Sequence, residues 1–111
     1  MSKLTLIKPQ GTILQLGETE YNLVYDFNSF AELEREFGDV QKAFEVLAGN
    51  AKTSDLLKIV KAGLVSSEKQ ISNTELGSYL TPSNMGAVVG IVNEALTVAM
   101  PSEEKGKKSK N

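Results

Sequence analysis

The chain has 111 residues, 41% of them apolar and 23% charged, with no Cys, His or Trp, which is enough for one hydrophobic core. Without Cys and His there are no disulfides and no thiolate sites, and the commonest general base and commonest metal ligand are missing. Net charge is −2, and no apolar run approaches the 18 or so residues of a membrane span. Met1-Ser2-Lys3-Leu4 is not followed by a signal-peptide core and small-residue cleavage site, so a cytoplasm is the expected compartment.

Charge is unevenly placed. Residues 102–111 hold four Lys and two Glu, whereas the other 101 residues hold 8 basic and 12 acidic side chains. The reading is one globular domain over 1–101 and a disordered Lys-rich tail over 102–111, which has no apolar anchor to offset its ordering entropy. An acidic body is poor material for duplex binding, which needs a basic face.

The first part reads as strands. Leu4-Thr5-Leu6-Ile7 is a short apolar run closed by Pro9 and Gly11. It is either a third strand of the sheet or a contact segment. Thr12–Leu16 follows, then a four-residue loop Gly17–Glu20, then a strand from Tyr21 to Phe27. Tyr21, Leu23, Tyr25 and Phe27 share one face by period two. The two runs form a β-hairpin, which is marginal alone and must pack on helices.

From Asn28 the period changes. Asn28 or Ser29 caps a helix carrying Phe30, Leu33 and Phe37, and Gly38 suits its left-handed exit. Asp39 caps a second helix with a stripe of Val40, Ala43, Phe44 and Leu47. Thr53 or Ser54 opens a third, with Leu56, Leu57, Val60 and Leu64 on one side. Ser72 and Glu75 make a capping box, with Ile71 and Leu76 at staple positions. Thr81 caps a last helix with Pro82 at its first position, running to about Met100 and ended by Pro101. The fold class is therefore α+β, an N-terminal hairpin or small antiparallel sheet packed on four to five helices.

Chemistry is sparse. Glu32 and Glu36 share a helix face, but paired-carboxylate catalysis needs two different environments, so these are surface charges. No nucleophile has a visible base, and no phosphate loop or metal-ligand spacing exists. The helix pair 53–65 and 72–80 has no Lys or Arg on its second member and too long a connection for a DNA-reading motif. The last helix stands out: Ala87, Val88, Val89, Ile91 and Val92 cover most of its circumference. That implies a central helix or an assembly surface. Gly86-x-x-x-Gly90 marks close helix approach in soluble proteins. The candidate assembly surface is Leu4, Leu6, Gly86, Val88, Gly90 and Ile91. No catalytic or metal-binding residue is named.

The segment from Gly17 to Gly38, with Tyr-Asn-Leu-Val-Tyr-Asp-Phe-Asn-Ser-Phe leading into Glu-Leu-Glu-Arg-Glu-Phe-Gly, resembles small tail proteins of long-tailed phages and gene transfer agents. Leu80-Thr81-Pro82-Ser83-Asn84 opening a helix with Asn93-Glu94-Ala95-Leu96 is similar too. That family is the tail assembly chaperones. The resemblance covers most of residues 11–100 and includes no catalytic residue. It implies a non-enzymatic, cofactor-free protein of the infected host's cytoplasm that coats the tape measure protein and recruits tail tube subunits. It also implies self-association and, commonly, a longer frameshifted form. Nucleic acid, membrane and small-molecule substrates are not implied. The other readings are a structural component of the tail and, more remotely, a small regulatory DNA-binding protein.

Overall fold

The computed structural model describes residues 2–49 and 51–99; the tail 102–111 lies outside the described residues. The architecture is α+β. Strands β1 (Thr12–Leu16) and β2 (Thr19–Leu23) precede helices α1 (Phe27–Phe37), α2 (Val40–Ala48), α3 (Thr53–Gly63), α4 (Asn73–Gly77) and α5 (Met85–Ala99).

The hairpin is tighter than the four-residue loop expected. Leu16 pairs with Thr19, so Thr19 and Glu20 belong to β2 and only Gly17 and Glu18 turn the chain. Gly17 takes φ +63°, the left-handed conformation that a two-residue hairpin of this pattern places first. The inward residues Leu14, Leu16, Tyr21 and Leu23 are buried on the helices. Tyr25 is buried as its alternation implies, but Val24 on the opposite phase is buried too.

The expected strand to Phe27 ends at Leu23, because Asp26 and not Asn28 or Ser29 caps α1. The Asp26 carboxylate accepts the Ser29 backbone N–H at 3.0 Å, and the Ser29 hydroxyl accepts the Asp26 N–H at 3.3 Å. This reciprocal box satisfies two orphan donors at once. Phe27 thereby becomes the first helical residue, 89% exposed, and leaves the core face. Gly38 closes the helix at φ +96°, as its sequence position implied. Asp39 caps α2 through the Lys42 N–H at 2.7 Å. Ser72 caps α4 through the Glu75 N–H at 3.1 Å, with Ile71 and Leu76 both buried. Thr53 opens α3, whose cap position, Lys52, gives no side-chain bond.

The last helix begins three residues later than expected. Thr81–Asn84 form a turn in which the Asn84 N–H reaches the Thr81 carbonyl at 3.1 Å. The Asn84 side chain accepts the Thr81 N–H at 2.9 Å and donates to the Tyr79 carbonyl at 2.8 Å. Pro82 therefore starts a tight turn that feeds α5, and Met100 lies outside the described residues.

The central helix is α3, not α5. It packs against α1, α2, α4, α5 and β2, and Leu56, Ile59, Val60, Ala62 and Gly63 are buried along it. Gly63 lets β2 and its continuation cross its C-terminal turn: a Cβ there would stand 2.6 Å from Leu23 Cδ1 and 2.7 Å from Tyr25 Cζ. The crossing is fixed by the Val24 N–H to the Gly63 carbonyl at 2.9 Å and the Tyr25 hydroxyl to the Ile59 carbonyl at 2.8 Å. Burial drives the Tyr25 phenol far above its ordinary value, so it stays a donor. Two polar groups, Ser29 and Ser67, are buried and paired: the Ser29 hydroxyl donates to the Val24 carbonyl at 2.7 Å, and Ser67 accepts the Asn22 N–H at 3.1 Å.

Candidate functional site

Residues 2–10, which include Leu4-Thr5-Leu6-Ile7, form no strand and are exposed throughout. Leu4, Leu6 and Ile7 are 82%, 81% and 85% exposed, so the third-strand alternative is not realised within the chain. Pro9 lacks a donor and the segment has no backbone partner among the described residues. It projects as an apolar arm carrying Lys3 and Lys8.

The helix α5 is covered on one side only. Val88, Val92, Ala95 and Leu96 are buried, Ile91 is half-buried, and Gly86, Ala87 and Gly90 are exposed. Val88 meets the chain's own core and is 8% exposed, and it also lines the surface trough between β1 and α5. Gly86 and Gly90 have no heavy atom within 4 Å of an added Cβ, so the close helix approach expected of them does not occur inside the molecule.

Among the described residues, apolar troughs lie on the surface. One, of about 330 Å³, runs between β1 and α5, lined by Leu14, Leu16, Tyr79, Leu80, Ala87 and Ile91 among others, with no residue of β2. The second, of about 430 Å³, lies between α1 and α2, lined by Phe27, Phe30, Ala31, Glu34, Val40 and Phe44. The third, of about 330 Å³, lies between α2 and α5 and includes Phe44, Leu47 and Leu96. The last two share Phe44, so they adjoin. The sequence stripes named Phe30 and Phe44 as core, and both remain only half-buried. Phe27 was missed as a surface residue. Its signal was the Asp26-x-x-Ser29 spacing, which reads as a cap one residue before it.

The charged groups are surface groups. Glu32 pairs with Arg35 at 2.6 Å and Glu36 with Lys58 at 3.8 Å, all partly or largely exposed. Asp26 is the carboxylate with a perturbed environment. Burial pushes it up, but hydrogen bonds from the Ser66 hydroxyl, the Ser29 N–H and the Ser29 hydroxyl outweigh that and hold it below its ordinary value. Its role is to cap α1 and tie it to Ser66 at 2.8 Å. Among the described residues, no group of three or more carboxylates stands where it would hold a metal ion, and no helix is long and apolar enough to cross a membrane.

Comparison with known proteins gave no match to a family model, a curated protein or a solved structure.

Proposed function

We propose that the protein is a phage tail assembly chaperone that binds the tape measure protein, recruits tail tube subunits and acts without catalysis in the host cytoplasm. The observation that carries the reading is the amount of apolar surface the fold leaves open: an arm with three exposed aliphatic residues and troughs lined by Phe27, Phe30, Phe44 and Ile91. The likeness of residues 17–38 and 80–96 to that family supplies the partner.

A tape measure protein is a long helical chain with apolar stripes. An amphipathic helix docks its i, i+3/i+4, i+7 residues into an apolar groove. The adjoining α1–α2 and α2–α5 troughs, joined at Phe44, suit such a stripe better than a small ligand. Phe27 stands at one end of that run, and Glu34 is the carboxylate among its lining residues.

Co-expression with a tape measure protein tests the reading. The complex is expected to co-purify, and Phe27→Ser is expected to weaken it at least tenfold while the circular dichroism of the free protein stays unchanged. A folded protein that leaves a soluble tape measure protein uncaptured contradicts the reading. Stoichiometric presence in purified virions points instead to a structural tail subunit.

A further inference from the structure

The two edges of the hairpin are not equivalent. The Asn22 N–H faces away from β1, since it donates to Ser67. The Ile13↔Asn22 pair is therefore the non-hydrogen-bonded kind, and by antiparallel alternation so is Gln15↔Glu20. On the outer edge of β2 the Asn22 N–H is taken by Ser67 and, just beyond the strand, the Val24 N–H by the Gly63 carbonyl, while Glu20 puts a charge on the remainder. The outer edge of β1 presents the N–H and C=O groups of Ile13 and Gln15, and no hydrogen bond among the described residues reaches them. Edge strands are normally blunted by charge, Pro or a bulge. The β1 sequence Thr-Ile-Leu-Gln-Leu has no charge and no Pro, and its register is unbroken.

We propose that this edge receives the arm of a second copy of the chain, with Leu4-Thr5-Leu6-Ile7 adding as a strand beside β1 and two copies exchanging arms reciprocally. This deepens the self-association contained in the proposed function. The side chains match on both faces. Period two sends Leu4 and Leu6 to one side and Thr5 and Ile7 to the other. On the inner side lies the trough lined by Leu14, Leu16, Ala87 and Ile91. On the outer side stands Ile13, 53% exposed, which Ile7 covers as a cross-strand neighbour.

Charge selects the same pair. The arm carries Lys3 and Lys8 and no acid. The elements around the trough, namely the hairpin, residues 73–84 and α5, carry Glu18, Glu20, Glu75 and Glu94 and neither Lys nor Arg. Opposite potentials on the two surfaces favour their encounter. The donor is taken to be a second copy because the chain's own residues 2–10 stay exposed and make no backbone hydrogen bond to the free edge of β1. The unpaired backbone groups provide affinity and the alternate side-chain positions provide specificity, as in strand addition generally. A reciprocal exchange is a closed two-fold arrangement and buries both open edges.

Light scattering on sized samples tests this. The full chain is expected at twice its monomer mass. Leu6→Asp removes the arm's anchor, and Ala87→Arg fills the trough with an exposed charge. Both positions are exposed in the chain itself, so each variant is expected as a folded monomer by circular dichroism. Mixed one to one, the two variants keep one of the two arm–edge contacts, the Ala87→Arg arm on the Leu6→Asp edge, so a mixed dimer is expected at higher concentration than the unaltered chain needs. A mixture that stays monomeric up to about a millimolar while the unaltered chain doubles overturns the exchange. So does an unaltered chain that is monomeric up to about a millimolar, the outcome if the arm folds onto its own trough. A monomer that still captures the tape measure protein overturns the exchange alone. Arm exchange without capture overturns the chaperone reading alone.

Discussion

The helices α3 and α5 make opposite use of their residues. The more polar one, with Asp55, Lys58 and Lys61 in 11 residues, is the centre of the molecule. The more apolar one, with Glu94 as its single charge in 15 residues, is covered on one side and open on the other. Apolar content therefore says how much surface a helix asks to have covered, and neighbours decide what covers it. On α3 the lysine stems lie outward while Leu56, Ile59 and Val60 are enclosed by five elements. On α5 the hairpin and the other helices reach Val88, Val92, Ala95 and Leu96 but not Ala87 or Gly90. The surplus is what an assembling protein needs and what a monomer would avoid.

Substitutions on the two helices sharpen that contrast. Leu56→Ala on α3 empties an enclosed site and is expected to lower stability by about 2–5 kcal/mol in denaturant unfolding. At Gly63 the crossing chain leaves no room, so Gly63→Ala forces Leu23 and Tyr25 aside and is expected to cost about 1–3 kcal/mol. Gly90→Ala on the open face of α5 meets nothing and is expected to raise stability by about 0.5–1 kcal/mol through helix propensity. A loss there would mean that α5 is packed where it is drawn open.

Asp26 gives a pH-dependent check on the region where α1 meets the hairpin. Its carboxyl titrates below the ordinary aspartate value of 3.8 in the folded protein. The carboxylate thus stabilises the fold above that value, and the contribution disappears as pH falls through the lowered folded value. Asp26→Asn keeps a neutral cap. The unaltered protein is expected to lose stability more steeply than Asp26→Asn below about pH 5, and the two are expected to run parallel above it. Parallel curves throughout would mean that the ionised form gains nothing from Ser29 and Ser66.

The sequence carried the local structure well. Asp39, Ser72 and Gly38 announce helix ends by chemistry that acts within one turn, and Tyr21, Leu23 and Tyr25 announce a buried face by period. The exit from β2 was misread because Asp26 and Phe27 fit a strand's alternation as well as a cap and a first helical residue. Only the pairing with Ser29 separates the two. The rank of α3 as the central helix was not legible, since Gly63 and Ile59 acquire their meaning from Tyr25 and Leu23, which are more than 30 positions away. For the assembly surface, pattern pointed to Leu4, Leu6, Gly86, Val88, Gly90 and Ile91, with Ala87 in the same apolar stretch; Ala87, Val88 and Ile91 line one trough. Pattern did not show Ile13 with its outward-facing backbone, because which edge of a hairpin stays open depends on the distant Ser67 and Gly63.

Hydrogen exchange at rising protein concentration tests the central claim most directly, because it follows the closed and the open regions in one sample. The amides of α3 are expected to exchange at the same slow rate at every concentration. Those of Leu4–Ile7, and of Ile13 and Gln15 on the free edge, are expected to gain protection as concentration rises, with the arm and the edge doing so together. Exchange of the arm and the β1 edge at the free-peptide rate from micromolar to millimolar protein would contradict the account.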